Sequence, residues 1–211
     1  MSSADVSHSF WIPRLAGKTD SIPNRVNTMW INPAEAGLYL GQCAQYCGTQ
    51  HAKMLLRVYA ESPSNFAAWA NKQQPASVKD LSDNPLAREG RAVFLRTACV
   101  SCHTVAGTSA NGRFGPDLTH VASRDTISSG AIENTSQNLR KWIAAPNEMK
   151  PGSLMPSMHL NFYRRGSPIL ENSTRSICSV SVTVATVERT SPPGLCWSTI
   201  MAAEMFRAYR R

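Results

Sequence analysis

No stretch of the sequence stays apolar for the roughly 18 residues that a membrane-crossing helix needs. The first residues, Ser2-Ser3-Ala4-Asp5-Val6-Ser7, have neither the basic start nor the apolar core of a secretory leader. As written, the chain therefore carries no visible route across a membrane. No Lys/Arg run is interleaved with aromatics, which argues against nucleic-acid binding, and no internal repeat is present. Charged residues are modest at 17%, against 42% hydrophobic, an ordinary balance for a folded protein that makes extensive disorder the weaker reading. The net charge of +8 is uneven. Residues 1–75 hold six Lys/Arg against four Asp/Glu, residues 76–160 nine against seven, and residues 161–211 seven against three. Half of the excess lies in the last segment, so the basic balance says little about partners of the first two.

A length of 211 residues suits one or two domains. Turn formers punctuate residues 1–60: Pro13, Gly17, Pro23-Asn24, Asn32-Pro33, Gly37, Gly41 and Gly48. Between them lie short β-favouring runs, Phe10-Trp11-Ile12, Val26 to Ile31, Leu38-Tyr39-Leu40 and Leu55 to Tyr59, a spacing that predicts part of a β-sandwich. Ser64 to Lys72 reads as a short helix after Pro63. Residues 73–82 read as a linker. A helix then starts at Asp83-Asn84-Pro85, with Asp83 or Asn84 as N-cap and Pro85 in the first turn. Leu86, Gly90, Val93, Phe94 and Ala98 would form its inward stripe. Gln137 to Ile143 is a second helix, with Leu139, Trp142 and Ile143 inward.

Cysteine is sparse, six residues in all, and four of them fall in two tight pairs. Tight pairs beside a histidine point to metal or haem chemistry before disulfides. The first is Cys43-Ala-Gln-Tyr-Cys47-Gly-Thr-Gln-His51-Ala-Lys-Met54. Two thiolates four apart on one loop can face a common centre and bridge two soft copper ions, with imidazole and thioether completing the shells. A second imidazole has to come from elsewhere, and before residue 100 only His8 is left. A Cys2His2 zinc site on His8, Cys43, Cys47 and His51 uses the same residues, and a Cys43–Cys47 disulfide is a third reading.

The segment His8-Ser-Phe-Trp-Ile-Pro13 followed, a few dozen residues on, by Gly-Leu-Tyr-Leu-Gly-Gln and the cysteine loop resembles the CuA domain of cytochrome c oxidase subunit II. The resemblance implies a cupredoxin-type β-sandwich holding a dinuclear copper centre. By position, Cys43 and Cys47 would bridge the coppers, His8 and His51 would each bind one, Met54 would be a weak axial ligand, and the backbone carbonyl of Gln45 would be a further ligand. The family usually has Glu at that place, and its carboxylate helps bind magnesium at the boundary with subunit I. Gln45 leaves that magnesium role open. A related motif occurs in nitrous oxide reductase, but His8-Ser-Phe-Trp-Ile-Pro13 and the haem-type box at Cys99 to His103 favour the oxidase. In the family, two membrane helices and several strands precede the position of His8. Residues 1–75 are therefore expected to be a truncated CuA domain, with membrane attachment through the missing helices.

The second pair is Cys99-Val-Ser-Cys102-His103, a box that reaches both haem vinyl groups and sets the adjacent histidine against the iron. It follows the predicted amphipathic helix, as in small c-type cytochromes. A thioredoxin-like pair is disfavoured because no βαβ pattern surrounds it. Lys150-Pro-Gly-Ser-Leu-Met155-Pro156 resembles the methionine loop of that family, which implies Met155 as second axial ligand ahead of Met158 and Met149. His120 and His159 are weaker candidates, and plain apolar packing is the bland reading of the methionines. Gly115-Pro116-Asp-Leu118 resembles the family's loop after the haem box, which implies that the Pro116 carbonyl accepts a hydrogen bond from His103.

After Leu160 the text changes. Residues 161–211 contain seven Arg and no Lys, the thiols Cys178 and Cys196, strand-like alternation at Ser179 to Val184 and a helix-like run at Met201 to Tyr209. The closing helix of a cytochrome c is expected here and is not legible. A shifted reading frame or wrongly drawn gene end is the expectation, against a genuine extension. The sequence as a whole predicts a multidomain chain: a partial cupredoxin-like β-sandwich (1–75), a linker (76–82), an all-α cytochrome c domain lacking its usual closing helix (83–160) and an atypical tail. The resemblance implies the caa3-type subunit II. In that family electrons pass from covalent haem c to CuA and on to haem a of subunit I, and no bond-making catalytic residue lies in this subunit. It further implies subunit I and other oxidase subunits as partners, a cytochrome or reductase as electron donor, and a soluble part on the periplasmic or outer face of a bacterial membrane. A stand-alone c-type cytochrome module with a zinc-stapled β-domain, and an inactive fragment, are the competing readings.

Overall fold

Alternation along two strands builds the first core. In Leu55–Ala60 the side chains of Leu56, Val58 and Ala60 turn inward, and in Gly37–Cys43 those of Tyr39 and Cys43 do, the period of two that a strand with one buried face imposes. The computed structural model describes residues 1–74 and 84–158. These residues form two compact units, Met1–Lys72 and a second beginning at Gln73.

In the first unit the strands β1 (His8–Trp11), β2 (Thr19–Ser21), β3 (Gly37–Cys43) and β4 (Leu55–Ala60) make one antiparallel sheet in the order β2-β1-β3-β4. Phe10 and Ile12 from β1 and its exit, with Leu15, Tyr39, Cys43, Met54, Leu56, Val58 and Ala60, form its core. Gly41 is required where β3 passes β1, because a Cβ there would overlap the Trp11 carbonyl and lie 2.5 Å from Ile12. A single 3-10 turn, His51–Lys53, follows the cysteine loop, and helix α1 (Pro63–Lys72) follows β4.

The expected strand at Val26 to Ile31 does not form. The Asn27 backbone N–H bonds to the Met1 carbonyl (2.9 Å) and its side-chain amide to the Asp20 carbonyl (2.7 Å), so this segment's hydrogen bonds leave the ladder, and Val26 and Trp30 are exposed. The strand Thr19–Ser21, by contrast, has no β-favouring apolar text and forms through its pairing with β1.

The second unit opens with α2 (Pro85–Arg96). The Asn84 side chain accepts from the Leu86 and Ala87 N–H groups, and Pro85 sits where no intrahelical donor is needed. Of the stripe expected inward, Leu86, Gly90, Val93 and Phe94 are half-buried and Ala98 is exposed beyond the helix end, while Ala87 is the buried residue. One helical turn, α3 (Cys99–Cys102), follows, then α4 (Ser136–Ala144), capped by Thr135, and the short α5 (Pro146–Met149). The all-α expectation misses a small hairpin, β5 (Thr126–Ile127) with β6 (Ile132–Glu133), turned through Ser128, Ser129 and Gly130 in left-handed backbone. Val121 and Ile127 are buried here, with Leu118, Ile132, Leu139 and Trp142 packed on them. The linker from 75, the tail from 159 with its expected strand and helix, Cys178, Cys196 and His159, and the place of a closing helix lie outside the described residues.

Candidate metal and haem sites

Strand register brings His8 to Cys43. Phe10 pairs with Cys43 across β1 and β3. Directly opposed residues share a face, as do residues two apart on a strand, so His8 and Cys43 are diagonal neighbours on the buried side. Their donor atoms, His8 Nδ1 and Cys43 Sγ, are 3.9 Å apart. Beyond the end of β3 the chain loops so that Cys47 Sγ lies 3.7 Å from Cys43 Sγ, 3.6 Å from His51 Nδ1 and 3.9 Å from Met54 Sδ. The Cys43 thiol also points at the Gln45 backbone carbonyl, 3.2 Å away, although the Gln45 side chain is exposed. All six candidate ligands thus bring a donor atom into one connected group, formed by the start of β1, the end of β3, the loop after it and the 3-10 turn with its C-cap Met54.

This group fits a pair of soft ions better than one zinc. Donors about 2.3 Å from a single tetrahedral ion lie within about 4 Å of one another. Here the donors that all lie within 4.8 Å of each other are those of His8, Cys43 and Cys47; His51 joins through Cys47. Two thiols at the centre with one imidazole toward each end is the arrangement two sulfur-bridged ions require, and thiol, imidazole and thioether are donors that copper accepts. The Cys47 thiol is pushed up to about 12, first by burial, then by Cys43 beside it and by Asp5. Without metal it holds its proton at neutral pH, and a cation has to displace that proton to bind.

The two imidazoles differ. His8 is 1% exposed, and its Nε2 donates to Asp5 Oδ1 at 2.9 Å. His51 is half-buried, and its ring meets the exposed Tyr46 ring edge-on, centroids 5.7 Å apart. Asp5 escaped the sequence reading. The one available signal was its place three residues before a candidate ligand.

In the second unit the turn of α3 sets Cys99 and Cys102, both free thiols, beside His103. The His103 N–H closes the turn on the Cys99 carbonyl (2.9 Å), and the loop behind it bonds back through Gly112 to His103 (3.1 Å) and Gly115 to Cys102 (2.7 Å). His103 Nδ1 donates to the Pro116 carbonyl at 2.7 Å, which leaves the Nε2 lone pair for a metal. Burial holds the His103 pKa below its ordinary value, against the opposing pull of the Pro116 bond, so the neutral ligand form is favoured. Gly115 is packed against this ring: a Cβ there would lie 2.6 Å from His103 Cε1. Gly115→Ala should therefore tilt the imidazole or move the loop, at about 1–3 kcal/mol. Thermal melting of the haem-loaded chain and the haem absorption bands check this; an unchanged melt and spectrum would refute it.

The fit of this unit to haem rests on its core. Among the described residues from 84 on, the buried hydrophobic side chains are Ala87, Ala110, Val121 and Ile127. So few large buried groups leave an apolar deficit that a prosthetic group would fill. Met155 is half-buried in the loop after α5, with its N–H on Ser153 Oγ (3.4 Å). Met158, also half-buried, is tied by its N–H to the Ile143 carbonyl at the end of α4 (3.3 Å). The Lys150 ammonium is buried and bonds the Ser128 carbonyl (3.2 Å), joining the start of that loop to the hairpin. His120 Nε2 lies 3.1 Å from the Gln73 carbonyl, an ordinary hydrogen-bonding role.

Comparison with known proteins bears on both sites. Residues 1–60 match the family described as cytochrome C oxidase subunit II, periplasmic domain, and residues 87–163 match the cytochrome c family. The chain is 39% identical over 153 residues to cytochrome c oxidase subunit 2 of Alkalihalophilus pseudofirmus, covering 72% of this chain and 43% of the relative. It is 36% identical over 162 residues to that of a Bacillus species (72% and 45%) and 30% identical over 164 residues to that of Bacillus subtilis (74% and 45%). The chain thus spans less than half the length of these relatives.

Proposed function

From the premise that this chain belongs to the cytochrome c oxidase subunit II family, with a cupredoxin-like domain followed by a cytochrome c domain, we propose that it is the electron-transfer part of a haem–copper terminal oxidase of the caa3 type. The copper pair and the covalent haem would supply one-electron chemistry, haem c passing electrons to CuA and on to haem a of subunit I. The observation that carries the reading is the convergence of His8, Cys43, Gln45, Cys47, His51 and Met54 on one donor group.

The chain's residues hold and tune these groups. Cys43 and Cys47 would bridge, His8 and His51 would each terminate one end, and Met54 and the Gln45 carbonyl would be the outer donors. Cys43 and Met54 belong to the sheet's core, so packing would limit the movement of these two donors on a change of oxidation state. Cys99 and Cys102 would attach haem c, His103 would be its proximal ligand, oriented by Pro116, and Met155 its second axial ligand. A His/Met pair gives a higher potential than a single histidine, which suits donation toward copper. Gln45 offers a neutral amide where a carboxylate would attract a hard cation more strongly, which leaves a magnesium role open.

The domain limits are part of this proposal: a partial cupredoxin-like sandwich in 1–75, a linker at 76–82 and a cytochrome c domain in 83–160. Subunit I and other oxidase subunits are the proposed partners, with the soluble part on the periplasmic side of the membrane. Among the described residues no helix is long and apolar enough to cross a membrane. Metal analysis of the haem-matured chain tests the reading: two coppers and one haem per chain are expected, with a near-infrared band from the mixed-valence pair. One zinc per chain, or no metal, would overturn it.

A further inference from the structure

The carboxylate behind His8 belongs to no ligand set, and it is built into the fold. Asp5 is 6% exposed at its side chain and His8 2%. Asp5 Oδ1 accepts from His8 Nε2 at 2.9 Å and from the Ser3 hydroxyl at 2.7 Å, and the Asp5 N–H donates in turn to Ser3 Oγ at 3.2 Å. Ser3 is itself 7% exposed, and its N–H reaches the Ile22 carbonyl beyond β2 (3.4 Å). The chain ahead of β1 is thus held in a reciprocal Ser3–Asp5 turn that presents one carboxylate oxygen to the back of the imidazole. The other ring nitrogen, Nδ1, faces Cys43 Sγ.

We propose that Asp5 is a positioning residue for the copper pair: it fixes His8 in the tautomer protonated at Nε2, aims Nδ1 at the site, and makes the His8 end more electron-rich than the His51 end. The inference rests on the copper reading above. A carboxylate accepts and cannot donate, so the proton between Asp5 and His8 belongs to Nε2 and the lone pair to Nδ1. A buried acceptor of this kind sets the ring's orientation and raises its basicity toward a metal. His51 has a different setting, with half-buried surroundings and the Tyr46 ring edge at its side. The two ends of a pair bridged by Cys43 and Cys47 are then unequal by construction. The anionic partner behind His8 favours the oxidised pair, because that form carries the greater positive charge.

The test uses the full chain loaded with copper, as wild type, Asp5→Asn and Asp5→Ala. Asparagine keeps an acceptor oxygen without the charge, and alanine removes both. The measurements are copper affinity by competition, the midpoint potential of the pair, and proton NMR of the exchangeable imidazole protons. Expected are a slowly exchanging His8 Nε2 proton in wild type and Asp5→Asn that is lost in Asp5→Ala, a potential raised in both variants, and copper binding weakened roughly 10–100-fold in Asp5→Ala and largely rescued in Asp5→Asn. The inference is overturned if both variants keep the wild-type potential and the slow proton. It is equally overturned if weaker binding simply tracks a loss of copper-free stability at unchanged potential, since that is packing alone. Wild-type chain that takes up no copper pair would instead overturn the functional reading, and this inference with it.

Discussion

Replacing Cys47 by serine is expected to abolish the copper pair. Cys47 Sγ is the hub of the donor group: it lies within 4 Å of Cys43 Sγ, His51 Nδ1 and Met54 Sδ. Without it, His51 and Met54 lose the thiol that links them to His8 and Cys43. A serine hydroxyl is a hard, weakly acidic donor and a poor bridge between soft ions. Copper content should fall from two per chain to one or none, and the near-infrared band and the delocalised EPR signal should vanish. The fold should survive, because Cys47 is only half-buried at the edge of the core. A Cys47→Ser chain that kept two coppers and the same spectrum would refute the bridging role.

The second large effect concerns the haem unit. A Cys99→Ala/Cys102→Ala chain, unable to attach haem covalently, is expected to leave residues 84–158 without cooperative structure. With Ala87, Ala110, Val121 and Ile127 as its buried hydrophobic side chains, the described part of this unit cannot offset chain entropy by itself. The expected loss is at least comparable to the ~5–15 kcal/mol that keeps a typical domain folded. Limited proteolysis with circular dichroism should show α2 and α4 lost while the β-sheet unit persists. A haem-free chain with a cooperative helical melt would show that haem is not what completes the core.

Much of this was legible in the text of the chain, because local spacing carries it. Cys43, Cys47, His51 and Met54 sit within one loop and turn, and the box at Cys99 to His103 within one helical turn. The Asn84-Pro85 start of α2 was legible for the same reason: capping is a matter of neighbouring residues. His8 was reached by elimination, as the one histidine besides His51 before residue 100, and the family resemblance agreed; the register that pairs Phe10 with Cys43 is a long-range fact that local spacing does not carry. The strand errors have one cause. Val26 to Ile31 has the composition of a strand but no partner, whereas Thr19–Ser21 has a partner and not the composition; pairing decides. Asp5 was invisible for a related reason: an acidic residue near a chain start reads as solvated until the fold shows what it is buried against.

The sheet topology has a further consequence. His8 and Cys43 are 35 positions apart in the chain, and a cation gripped by both would close that span into a ring. A covalent tie over a loop of this size removes about 4 kcal/mol of entropy from the unfolded ensemble. Ligation would act in the same sense, so loss of the ions and unravelling of the sheet become one event, and free copper in the surroundings would set the temperature at which it happens.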